Sequence, residues 1–161
     1  MMIVESVSNP LVVPWYTDWA WGAPLIALTV IIHVLGLALI RQKFVGTFRH
    51  ANRRNQATLF AVVLGGTTFL ATALHAVEAA LWAAVYCGLN AISEYKSAML
   101  YSLNAMTSYG HTNLKLEERW YLMGAMEALN GWILFGLTTA FLFAVIEHFG
   151  FMGRPREYTN P

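Results

Sequence analysis

Ser-Ala-Met-Leu-Tyr-Ser-Leu-Asn-Ala-Met-Thr-Ser-Tyr-Gly-His-Thr-Asn-Leu, residues 97–114, stands between two long apolar runs, 57–89 and 120–149. It is too short, and too rich in hydroxyls in its second half, to be a membrane-crossing helix, which needs about 20 mostly apolar residues. Residues 98–105 contain neither Gly nor Pro and predict a helical turn or two, whereas Thr107, Ser108, Tyr109 and Gly110 predict irregular backbone. At membrane depth such backbone is tolerated only where it is buried in protein or lines a wet cavity. The stretch therefore reads as a re-entrant helix followed by a loop that meets water.

The rest of the chain agrees with a bilayer setting. It is 57% hydrophobic and only 12% charged, against about 25% charged in an ordinary soluble domain. A net charge of +1 and a pI near 7.9 give no basis for a nucleic-acid partner. The single cysteine, Cys87, excludes an intrachain disulfide and a cysteine metal cluster. Residues 1–14 hold no Lys or Arg and no long apolar core, so they do not read as a signal peptide.

Trp15, Tyr16, Trp19 and Trp21 crowd together as aromatic residues do at a membrane interface. Pro24 is placed for the first turn of a helix, and residues 25–40 continue without a charge, with His33 inside them. A neutral His33, hydrogen-bonded to a neighbouring helix, is the expectation. Arg41, Lys43, Arg49, Arg53 and Arg54 follow with no acidic residue among them, which marks a cytoplasmic loop. Counting Arg154 and Arg156 of the tail, seven Lys and Arg lie on that side against Lys96, Lys115 and Arg119 on the other. The N-terminus is thus expected outside and the C-terminus in the cytoplasm.

Residues 57–89, about 50 Å as straight helix, exceed a hydrocarbon core of about 30 Å and must tilt or protrude. Thr72, Ala76, Ala80 and Ala84 form a stripe of small residues on this helix, as do Gly136, Ala140 and Ala144 on the last one. Such stripes let helices approach closely. His75 and Glu78 share one face. A carboxylate in hydrocarbon has to be protonated, hydrogen-bonded or turned toward protein, so a bond from this helix to the 97–114 stretch is expected. Gly131 interrupts the last apolar run and serves either close packing or bending.

Three further motifs identify a resemblance. Ala98-Met99-Leu100-Tyr101-Ser102, Met106-Thr107-Ser108-Tyr109-Gly110-His111 and Glu127-Ala128-Leu129-Asn130-Gly131 occur in that order, and the sequence resembles the pore domain of the tetrameric potassium-channel superfamily, particularly small bacterial pore-loop channels. Those carry Ala-Leu-Tyr-Phe-Ser, Thr-x-Gly-Tyr-Gly-Asp and an inner helix close to Glu-Ala-Leu-Asn-Gly. His75, Glu78, Trp82 and Tyr86 resemble the outer-helix pattern, so the likeness covers roughly residues 25–148. Met106 stands in place of Thr, Ser108 in place of the first Gly, and His111 in place of Asp.

The resemblance implies an all-α membrane protein with three transmembrane helices, a re-entrant pore helix and a filter loop, assembled as a homotetramer in the bacterial inner membrane. Its parts would be an interfacial segment (1–23), a first transmembrane helix (24–40), a basic cytoplasmic loop (41–56), a pore domain (57–149) and a cytoplasmic tail (150–161). It further implies a filter of Met106, Thr107, Ser108, Tyr109 and Gly110, with carbonyls of Thr107, Ser108 and Tyr109 ligating a monovalent cation such as potassium. His111 would stand at the mouth, His75 and Glu78 would support the filter, and Gly131 is a candidate gating hinge. Ser108 would have to adopt the left-handed backbone that glycine favours. No enzyme activity and no resident cofactor are expected.

Two other readings compete. One is a channel-like assembly that does not conduct and serves as a structural plug or sensor. The other is an intramembrane haem protein, which needs two histidines facing each other at one depth; counted along the spans, His33, His75 and His148 do not stand level.

Overall fold

Uninterrupted apolar sequence folds here into long helices, since inside a bilayer each backbone N–H and C=O must find its partner within the segment. The computed structural model describes residues 16–48, 56–110 and 114–152. Helices α1 (Tyr16–Phe48), α2 (Gln56–Gly88), α3 (Tyr95–Met106) and α4 (Tyr121–Met152) follow one another, with a 3-10 turn at Glu118–Trp120 leading into α4. Residues 1–15 of the expected interfacial segment, the basic residues Arg49, Arg53 and Arg54, His111, expected at a filter mouth, and the tail from residue 153 lie outside the described residues.

Among the described residues, three helices are long and apolar enough to cross a membrane: Tyr16–Lys43, Ala57–Gly88 and Glu118–His148. The distribution of side chains is that of a protein dissolved in lipid. Leu28, Ile31, Val34, Leu39, Val62, Phe69, Phe135 and Phe143 are exposed, while Asp18, Thr29, His33, Glu78, Ser102, Glu127 and Asn130 are buried. In water that arrangement would leave far more contiguous apolar surface than a soluble monomer carries. The chain is an integral membrane protein.

α1 begins at Tyr16, earlier than the expected residue 24, and keeps Pro24 inside the helix. A proline there forfeits one backbone bond, which membrane helices tolerate. The earlier start also moves His33 to the middle of α1. α3 is likewise longer than a turn or two, with 12 residues.

α1 packs on α2 and α4, and α3 is wedged between α2 and α4. The end of α2 and the start of α4 lie at the same end of the bundle, where the Glu117 N–H donates to the Ala91 carbonyl over 3.4 Å. From there α3 runs back alongside α2: the Ser102 hydroxyl donates to the Ala79 carbonyl over 2.8 Å, and Met106 reaches Gly131. Ala79 lies about 14 Å up α2 from Gly88 at about 1.5 Å per residue. That is about half of a hydrocarbon core of about 30 Å.

Candidate functional site

The C-terminal end of α3 carries the loop singled out by sequence. Ser108 N–H donates to the Ala105 carbonyl and Tyr109 N–H to the Asn104 carbonyl, each over 3.0 Å. With Ser108 at φ +54°, these bonds make a Schellman cap, a motif that usually uses glycine at this place. Gly110 follows at φ +91°. The left-handed backbone expected at Ser108 is therefore present.

Thr107 N–H donates to the Leu103 carbonyl over 3.1 Å, so the loop's first three N–H groups are all engaged. The carbonyl oxygens of these residues stay available to a ligand such as a cation. Thr107, Ser108, Tyr109 and Gly110 are exposed, Tyr109 at 84%. The Trp132 indole N–H donates to Ser108 Oγ over 3.0 Å and ties the loop to α4. At Gly131 a Cβ would run into the Met106 carbonyl, so this glycine lets α4 touch the end of α3, and α4 continues through it as helix.

Glu127 anchors α3. Its Oε2 accepts from the Tyr86 hydroxyl over 2.7 Å, and its Oε1 is hydrogen-bonded to Ser102 Oγ. One buried carboxylate thus joins α2, α3 and α4. At the end of the bundle where α4 starts, Asp18 of α1 accepts from the Met123 N–H over 3.1 Å, satisfying a first-turn donor of α4.

Glu78 is placed otherwise than the sequence reading expected. It faces α1 and not the loop: His33 Nδ1 lies 2.8 Å from Glu78 Oε1, and His75 Nδ1 lies 3.3 Å from Glu78 Oε2. On their other sides both rings face Thr138 of α4, His33 Nε2 at 3.0 Å from its Oγ1 and His75 Nε2 at 3.1 Å. Ring centroids of His33 and His75 are 4.9 Å apart, so the two do stand level, contrary to counting along the spans. The early start of α1 is the reason. With Thr138 shared between both Nε2 atoms, no macrocycle fits between the rings, and the haem reading finds no site here.

His75, Thr107, Gly131, Trp132 and Phe135 line a groove of about 460 Å³ between α2, α3 and α4. His75 links it to the buried pair behind, since His75 is partly exposed while His33 and Glu78 are fully buried. Sequence reasoning missed Glu127 and Thr138 as partners. The available signal for Glu127 was a carboxylate within an apolar helix, which requires buried donors; Thr138 carried none. Compared with models of protein families, with curated proteins and with solved structures, the chain matches none.

Proposed function

We propose that the chain forms a homotetrameric, potassium-channel-like cation pathway, with α3 as a re-entrant pore helix and residues 106–110 as its filter. The observation that carries this reading is the end of α3. It stops at about half depth between two candidate spans, and its loop has engaged N–H groups, positive φ at Ser108 and Gly110, and exposed oxygens. Four such ends around an axis would direct the negative ends of their helix dipoles at a central cation. One copy cannot enclose a path, so cyclic assembly is required. In this arrangement the N-terminus is outside, the C-terminus is cytoplasmic, and α4 lines the inner pathway.

The departures at Met106, Ser108 and His111 make this a cation pathway of its own selectivity. Met106 brings no oxygen at the inner end, and the Ser108 hydroxyl is held by Trp132. That same bond favours the second reading, a closed loop that plugs the assembly. Purified protein in liposomes loaded with potassium or sodium, against a large organic cation as control, separates the two. Flux of small monovalent cations above empty liposomes is expected; none from an assembled preparation overturns conduction.

A further inference from the structure

We propose that His33, His75 and Glu78 form a binding site for a divalent transition-metal ion, with Zn2+ as its natural chemical class, inside the α1–α2–α4 seam. The three residues offer two imidazole nitrogens and a carboxylate whose ligand atoms all lie within 4.8 Å of one another. Bonds of about 2 Å to one ion bring such atoms within about 4 Å, so a slight inward movement completes the set. Two nitrogens and one oxygen suit Zn2+, Co2+ or Ni2+; Mg2+ and Ca2+ want oxygen throughout.

Counting protons sharpens the case. Thr138 has one hydroxyl proton and faces two Nε2 atoms. When both imidazoles are neutral and His33 Nδ1–H donates to Glu78, Thr138 can donate to His33 Nε2 only, and His75 has one N–H for two acceptors, Thr138 at 3.1 Å and Glu78 at 3.3 Å; it serves the nearer, Thr138, through Nε2–H. His75 Nδ1 is then a bare acceptor, 3.3 Å from Glu78 Oε2. That oxygen is buried and has no hydrogen-bond partner. Two lone pairs face each other in a buried place, and a positive species belongs between them.

Either a proton or a metal ion can fill that position. Two features favour the metal. Thr138 Oγ1 can accept from both Nε2–H groups, the outer bond that fixes the ring of a metal-bound histidine. His75 opens on the groove beside Thr107 and Trp132, which gives an entry path to Glu78 and His33 behind it. The site is complete within one chain and does not depend on ion conduction.

Equilibrium dialysis of tag-free, chelator-stripped protein in detergent against Zn2+ alone, read by elemental analysis, tests this. One Zn2+ per chain is expected. Glu78→Gln and His75→Gln should abolish stoichiometric binding, Thr138→Val should weaken it between about 10- and 100-fold, and Glu94→Gln, at an exposed carboxylate, should leave it unchanged. Substituting Co2+ should give the intense visible bands of a four-coordinate nitrogen and oxygen site. If the wild type binds no Zn2+, or Glu78→Gln and His75→Gln bind as the wild type does, the proposal falls, and a proton on His75 fills the gap. Should a variant lose its helicity, the wild-type Co2+ spectrum decides alone: weak six-coordinate bands overturn the site.

Discussion

Ser108 shows how a single residue combines opposing terms. Its left-handed backbone costs a residue with a Cβ roughly 1–2 kcal/mol relative to glycine, while its bond to Trp132 returns about 0.5–1.5 kcal/mol. Ser108→Gly is therefore expected to change thermal stability little, whereas Trp132→Phe, which loses the bond and keeps the strain, should lower it; paired melting curves check both. In the channel reading, Met106→Thr, Ser108→Gly and His111→Asp together should raise potassium selectivity in reversal potentials. In the same reading, His111 turning cationic as external pH falls should lower conductance, since a positive charge at the expected mouth repels cations. Gly131 allows a sharper comparison. Gly131→Ala sets a Cβ against the backbone of Met106, while Gly65 has nothing within 4 Å of its would-be Cβ. We expect the first to destabilise by about 1–3 kcal/mol and the second to be neutral or stabilising.

At the scale of elements, α3 is a short helix that could not stand alone in a bilayer. Its position is set by the Glu127 carboxylate, which Tyr86 and Ser102 both address from other helices, and by the Ser102 bond to Ala79. Removing one partner of a buried network leaves the others unsatisfied at roughly 1–3 kcal/mol each. Glu127→Ala should accordingly lower the melting temperature and increase proteolysis or hydrogen exchange within α3. Glu94→Ala, at an exposed carboxylate that accepts from Ser97, should do neither. Glu78→Ala should loosen α1 from α2 instead, because its hydrogen-bonded partner His33 is on α1. Exchange protection read helix by helix distinguishes the two carboxylates.

For the whole molecule, the exposed stripes Thr72, Ala76 and Ala84 on α2 and Gly136, Ala140 and Ala144 on α4 offer close-packing faces that none of the described helices of the same chain covers. Small residues at such faces let neighbouring helices approach in lipid. A tetramer mass in mild detergent and in lipid nanodiscs is expected, and bulky substitution of Ala140 should reduce it. A stable monomer in both media would remove the enclosed pathway and with it the channel reading.

Hydropathy, breakers and the composition of residues 97–114 by themselves determined that the chain lives in a bilayer and that long helices flank a short one ending in irregular backbone; the left-handed turn at Ser108 was expected only through the resemblance. These are local properties: a window of neighbouring residues decides whether a segment prefers lipid and where its backbone must turn. Tertiary structure alone decided which polar groups meet. Glu78 could have faced the loop from its helix, yet it pairs with His33, 45 residues away. Thr138 gave no signal until both imidazoles faced it, and the anchoring of α3 fell to Glu127. Apolar helices offer several nearly equivalent faces to one another, and the face chosen follows from burying each charge with its donors and from where a glycine such as Gly131 permits backbone contact. That choice depends on the arrangement of all the helices at once, which no stretch of sequence contains.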